Sequence, residues 1–237
     1  MPIRNLNNKL LYNIKMSASQ QDTADIYIYS DIEPDTENWW GDKKSSETSA
    51  ETFRRKLAEV GNVANINLYI NSSGGSCMEG NGIYSQLKRH KAYKTAFIDG
   101  FACSEASVIP MACDKIVMSN NAIMMIHNAW TVAIGNSKEL RKQADDLEVM
   151  NVAFRQAYLN RFKGAEKELI TLLDNETYLT AKDCIKYGLA DEIIDEIVVP
   201  NDIKDKNNPK QQQQKSGINQ FGTDYLINLI NKKGMIF

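Results

Sequence analysis

The strongest constraint in this chain is a unit that occurs twice in succession: a short apolar strand, a tight turn of small residues, and a helix. The first copy runs from Ile66–Ile70 through Asn71-Ser72-Ser73-Gly74-Gly75-Ser76 into a helix over Met78–His90, with Ile83 and Leu87 on its inner side. The second runs from Tyr93–Ile98 through a turn at Asp99–Cys103 into Ser104–Cys113, a helix of small and apolar residues. This order predicts parallel βα units whose helices cover a sheet, and the right-handed crossover rule leaves few ways to connect them. Two further short strands, Lys115–Met118 and Ala122–Ile126, follow.

The flanks extend the same α/β pattern. Ala24–Ile32 alternates and is β-rich, which predicts a first strand. A charged loop carrying Trp39 and Trp40 leads into a helix whose start is read as a capping box of Thr48 with Glu51, and Phe53, Leu57 and Val60 share one face of it. Ser137–Phe162 is the longest predicted helix, with Leu140, Ala144, Leu147, Asn151, Phe154 and Tyr158 at helical spacing and Gly164 as its stop. A short helix over Ala165–Leu173 follows. Thr180 with Asp183 reads as a second capping box, Gly188 as a C-cap, and Ile193–Val199 as a closing strand.

These patterns divide the chain into an N-terminal arm (1–23), a folded body (24–199), a low-complexity linker (200–220) expected to be unstructured, and a C-terminal tail (221–237). The tail regains apolar spacing at Tyr225, Leu226, Leu229 and Ile230. It is too short to fold alone and is expected to dock.

Composition removes several function classes. A chain of 237 residues can bury a sizeable core as one domain. The 28 basic and 30 acidic side chains leave a net charge of −2, which argues against a chain built to neutralise phosphates, so no nucleic-acid partner is expected. Cys77, Cys103, Cys113 and Cys184 form no CxxC pair and no secretory leader precedes them, so the expectation is reduced thiols in a cytoplasmic compartment. The longest apolar stretch, Ala106–Cys113, is far short of a bilayer span, and no membrane partner is expected. With two histidines in the chain a His-rich metal site is impossible, and neither a metal nor an organic cofactor is expected.

Three places can carry chemistry. Ser104 stands where a strand ends and a helix begins, among small residues that permit close approach, as an acyl-transfer nucleophile requires. Its plainer reading is a helix N-cap, because the segment is not a G-x-S-x-G elbow. His127 follows the strand Ala122–Ile126, where it could serve as a general base or equally as a hydrogen-bonded structural histidine. His90, on a charged helix end, is read as solvated. Gly74 and Gly75 permit positive φ and a bare N–H beside a ligand, but the turn lacks the Lys-Ser/Thr ending of a nucleotide loop.

Taken in order, "YINSSGGS", "GNGIYSQLKRHK", "DGFACSEASVIPMACDKIVMSNNAIMMIHNAW" and "LTAKDCIKYGLADEI" closely resemble the Clp protease proteolytic subunit (ClpP) family, and within it the phage and prophage head-maturation branch. The likeness covers roughly Ile26–Val199. It implies a ClpP/crotonase-like α/β superfold of repeated ββα units, with Ser137–Phe162 as a protruding handle helix. It places the nucleophile on Ser104, the catalytic histidine on His127, and oxyanion-hole N–H groups on Gly75 and Glu105. The acid of the triad falls on Glu176, where the family carries aspartate, with Asp174 as the rival. Ser73 is a second departure, since the family usually has proline there.

The activity so implied is hydrolysis of peptide bonds by a Ser–His–acid triad, with no cofactor. An extended polypeptide would lie as an added strand between the glycine turn and the long helix. The resemblance further implies a homo-oligomer, a heptameric ring or a stacked tetradecamer, acting on scaffold or capsid proteins, and leaves a Clp-type ATPase partner open. Two other readings compete: an inactive assembly protein that keeps the fold, and a crotonase-like acyl-CoA enzyme.

Overall fold

The structure is a computed structural model and describes residues 15–16 and 22–194. The rest of the N-terminal arm, the distal part of the expected closing strand, the linker and the tail lie outside the described residues.

The elements in chain order are β1 (Lys15–Met16), β2 (Thr23–Ile28), β3 (Thr36–Glu37), β4 (Lys43–Lys44), α1 (Ala50–Val60), β5 (Asn65–Ser72), α2 (Cys77–Arg89), β6 (Tyr93–Cys103) and α3 (Glu105–Val108). A 3-10 turn at Ile109–Ala112 follows, then β7 (Lys115–Ser119), β8 (Ile123–Ile126), α4 (Ser137–Leu159), α5 (Glu166–Asp174), β9 (Thr177–Thr180), α6 (Ala181–Tyr187) and β10 (Glu192–Ile194). The main sheet runs β1-β2-β5-β6-β7-β10, parallel throughout except for β1. The architecture is the mixed α/β type expected from the twice-occurring strand–turn–helix unit.

Burial follows from that layering. The strands alternate or run fully apolar because α1, α2 and α3 cover one face. Ile26, Ile28, Ile66, Leu68, Ile70, Ala96, Ile98, Ile116 and Met118 form one core with Phe53, Ile83, Leu87, Ile109 and Met111. On the other face, Tyr27, Tyr69 and Phe97 stack in a row across β2, β5 and β6, with ring centroids 4.7 and 5.1 Å apart. Such offset rings add to the area they bury.

Several sequence expectations change in detail. Helix α1 starts one residue later than expected: Ser49 is its cap and accepts from Thr52 N, while the Thr48 hydroxyl ties Glu33 N to Asp31 O. The first strand ends at Ile28, because Ile32 leaves it to bridge Gly75. The loop bearing Trp39 and Trp40 folds into the β3–β4 hairpin. Helix α4 ends at Leu159, before Gly164, and fully buries only Ala157 and Tyr158, so its apolar face from Leu140 to Phe154 is only partly covered among the described residues. His90 is half-buried and fixed by hydrogen bonds to Gly61 O and Ala92 N.

The largest change concerns Asp99–Cys103, expected as a turn. These residues continue β6, and a register shift against β5 between Ile70 and Ser72 places three residues of β6 opposite Asn71. A bulge of this kind bends the strand that carries the extra residues. Asn71 Oδ1 fills the bend by accepting from Phe101 N, and a side chain at Gly100 would meet that same oxygen at 2.7 Å. The first half of β6 pairs with β7, and its second half, Phe101–Cys103, pairs with β8.

Candidate active site

That division of β6 builds the site. Strands β6 and β8 run parallel with Cys103 beside Met125, so the residues leaving their carboxyl ends come out side by side. Ser104 leaves one and His127 the other. Ser104 N donates to Met125 O at 2.8 Å, and His127 Nε2 lies 2.7 Å from Ser104 Oγ. The N-cap reading of Ser104 does not hold: its side chain caps no N–H of α3 and points to the imidazole instead.

Ser104 has φ 54° and ψ −129°. Only one other non-glycine residue among the described residues has positive φ, and it is Glu176 at 46°. Each such conformation costs on the order of 1–3 kcal/mol and persists only where the surroundings hold it in place. At Ser104 the hold is visible. Ser107 Oγ donates to Ser104 O at 2.5 Å and meets the Tyr158 hydroxyl at 2.7 Å, so helix α4 braces the turn through a buried pair of hydroxyls. Neither residue carries a sequence signal for this role: Ser107 is one small residue of a short helix, and Tyr158 one position of an apolar stripe.

The two acid candidates separate cleanly. Strand β9 is antiparallel to β8 with Ile126 opposite Thr177, and continuing that register one step sets Glu176 opposite His127. Glu176 is the carboxylate that acts on the imidazole, raising its pKa. Asp174 faces elsewhere and accepts from Asn128 Nδ2 at 2.7 Å. Burial is the larger influence on His127 and moves its pKa below the ordinary value of 6.5, so the ring is neutral and can accept a proton at neutral pH. No hydrogen bond joins Glu176 to the ring among the described residues. The sequence contained no sign of β9, which is what brings this acid into line.

The glycine turn lies against the nucleophile. Gly74 has φ 99°, and a Cβ there would meet Ser104 Cβ at 2.6 Å and Glu105 N at 3.1 Å. Gly75 has φ 147°, and a Cβ there would meet Ile32 O at 2.1 Å. Only glycine fits both positions. Ile32 holds the turn from outside, donating to Gly74 O and accepting from Ser76 N, both at 2.8 Å. Neither the Gly75 N–H nor the Glu105 N–H has a hydrogen-bond partner among the described residues; the latter opens α3, where a helix leaves its first amides unused. Ser73, at the position where a proline was expected, donates to Asp31 and thereby still tethers the turn.

In this parallel α/β sheet, neighbouring strand ends thus bring a serine of positive φ and a neutral histidine together beside two amides. Comparison with known proteins places the chain more narrowly. The profile of the Clp protease family matches residues 42–197, and the chain belongs to that family. It is 29% identical over 134 residues to the ATP-dependent Clp protease proteolytic subunit of Deinococcus radiodurans, an alignment covering 55% of this chain and 65% of that protein. Over 141 residues it is 29% identical to proteolytic subunit 1 of Prochlorococcus marinus, covering 57% of this chain and 70% of that protein. A ClpP1 mutant from Listeria monocytogenes shares the fold with a TM-score of 0.61 at 20% identity, over 73% of this chain and 91% of that one.

No cluster of three or more His, Cys, Asp or Glu side chains suited to a metal ion occurs among the described residues. No helix among them is long and apolar enough to cross a membrane.

Proposed function

We propose that the chain is a serine endopeptidase that cleaves peptide bonds with Ser104 as nucleophile, His127 as general base and Glu176 as the orienting acid, within a peptidase body spanning 24–199. The observation that carries this reading is the 2.7 Å approach of His127 Nε2 to Ser104 Oγ. His127 takes the hydroxyl proton as Ser104 attacks the carbonyl, then delivers it to the leaving amine, and water releases the acyl group by the reverse route. The free N–H groups of Gly75 and Glu105 receive the oxyanion, an interaction worth about 3–4 kcal/mol for a single well-placed donor.

The substrate in this proposal is an extended polypeptide laid beside the glycine turn and the segment after His127. That segment exposes Trp130, Val132 and Ile134, which alternate as a strand presenting one apolar edge would. These residues, with the partly covered face of α4, also support a homo-oligomer, a heptameric ring or stacked tetradecamer, in which a second copy covers them. The resemblance to head-maturation proteases supports scaffold and capsid proteins as substrates, inside a host cell or an assembling particle.

A fluorophosphonate probe tests the central claim. The wild-type chain is expected to be labelled at Ser104, and Ser104→Ala to lose the label and at least about 10³-fold in peptide hydrolysis. A folded, assembled sample that takes up no label at all removes the peptidase reading in favour of an assembly protein with the same fold.

A further inference from the structure

Glu105 has a second role to explain besides its N–H. Its side chain is 3% exposed, and its Oε1 has no hydrogen-bond partner. It fills a slot beneath helix α2 that exists only because residue 80 is glycine: a Cβ there would meet Glu105 Cγ at 2.0 Å and Oε1 at 2.6 Å. A solvated surface glutamate needs no such slot. The same residue presents the amide that faces the glycine turn, so one residue carries both an expected oxyanion donor and a buried carboxyl.

The surroundings set its charge state. Cys77 acts on the carboxyl from the first turn of α2, and Tyr158 interacts with it from α4. Cys103, at the end of β6, shares the same interior, and all three are neutral at pH 7 because burial raises each of them. No cation is among the groups acting on Glu105, and the carboxylate that acts on His127 is Glu176. Burial without a counter-charge raises the Glu105 carboxyl to about 8. It is therefore the uncharged acid at neutral pH.

We propose that Glu105 is a positioning residue of this site: held as a neutral acid in the Gly80 slot, it keeps negative charge away from the oxyanion pocket, and its ionisation shuts the reaction off at alkaline pH. The proposal rests on the Ser104 reading above. The logic is electrostatic. A developing oxyanion and a carboxylate on the residue whose amide receives it are like charges in a poorly screened interior, so the transition state loses stabilisation once the proton leaves.

The test combines the pH profile of kcat with an infrared titration of the carboxyl, taken as wild type minus Glu105→Gln. For a single ionisation near pH 8 the wild-type kcat falls about tenfold between pH 7 and pH 9. In Glu105→Gln, which keeps the shape and cannot ionise, the ratio between those two pH values is expected to lie within about twofold, whatever the absolute rate. Glu105→Met fills the slot without a titratable group and serves if the glutamine variant does not fold. An ionised Glu105 at pH 7, or an alkaline limb that survives both substitutions, overturns the proposal. If wild type shows no label and no hydrolysis at any pH, the Ser104 reading itself has failed, and the positioning role falls with it even where the infrared titration finds the protonated acid.

Discussion

The two ends of β8 meet opposite fates in this molecule. Before Ile126 the chain lies inside a finished core: Met124 and Ile126 are fully buried, and the site beyond them draws all its proposed groups from one chain. After His127 the chain enters a segment and a helix that are largely uncovered among the described residues. Ile134 is 98% exposed, Val132 80% and Trp130 71%, and Val149 and Val152 stand out from α4. Polar, charged sequence would serve a free arm better. The contrast divides the molecule: Ser104 and His127 meet within one chain, whereas the residues after His127 leave large apolar side chains exposed among the described residues.

The sharpest way to break that division is at the acid. Glu176→Gln removes the charge opposite His127 and is expected to lower kcat by about 10²–10⁴-fold, the scale of losing the orienting carboxylate in a triad. Asp174→Asn removes a charge but keeps an oxygen that can accept from Asn128 Nδ2, and should cost far less. The acid limb of the profile gives an independent check. Burial lowers the His127 pKa and Glu176 raises it, so activity is lost on the acid side below the ordinary imidazole range, and Glu176→Gln moves that limb to lower pH still. A larger loss in Asp174→Asn than in Glu176→Gln would show that the register argument assigns the wrong carboxylate.

The meeting of Ser104 and His127 was legible in the sequence only in part: each follows an apolar strand, and strand ends in parallel sheets lie together, but a helix cap and a structural histidine fitted the same residues. The choice between Glu176 and Asp174 was not legible. It depends on β9, four residues of mixed polarity (Thr177-Tyr178-Leu179-Thr180) whose alternation is too short to read and whose pairing with β8 is entirely non-local. The bend in β6 was hidden for a related reason. Asp99-Gly100-Phe101-Ala102 looks like a turn, but a bulge admits small residues while the strand continues. The cap of α1 shifted by one residue because Thr48 and Ser49 are both competent, and Thr48 is used to tie down Glu33 and Asp31. Glu105 was read for its amide alone, since nothing in a linear pattern reveals that Gly80 makes room for its side chain.

The arm offers a second test, aimed at the other side of the comparison. The double substitution Val132→Asp with Ile134→Asp puts two charges where the chain has only exposed aliphatic surface. If a second copy covers that surface, each buried aliphatic side chain contributes about 1.5–3 kcal/mol to assembly, and the charged variant should sediment as a smaller species. Its protomer should unfold at the same denaturant concentration as an unassembled wild-type sample, because neither side chain packs on the core. Equal sedimentation of variant and wild type would mean that these residues have some other use.

The smallest effect is expected at Thr180, which closes β9 and caps α6. Its hydroxyl accepts from Asp183 N at 3.3 Å, and its own N–H donates to Asp183 Oδ2 at 3.0 Å, so one residue ends the strand and starts the helix. Thr180→Ala removes the hydroxyl half of that capping box and should cost about 1 kcal/mol. For a body of this size that lowers Tm by about 2–4 °C. The strand is paired along its length, from Thr180 beside Ile123 to Thr177 beside Ile126. Glu176 should therefore keep its place opposite His127, and kcat should stay within about twofold of wild type. Sedimentation should be unaffected, since Thr180, though exposed, lies outside both the apolar segment after His127 and α4. A large drop in kcat at unchanged assembly would instead mean that the position of the acid depends on the far end of its strand, which makes the site less self-contained than the comparison of the two regions implies.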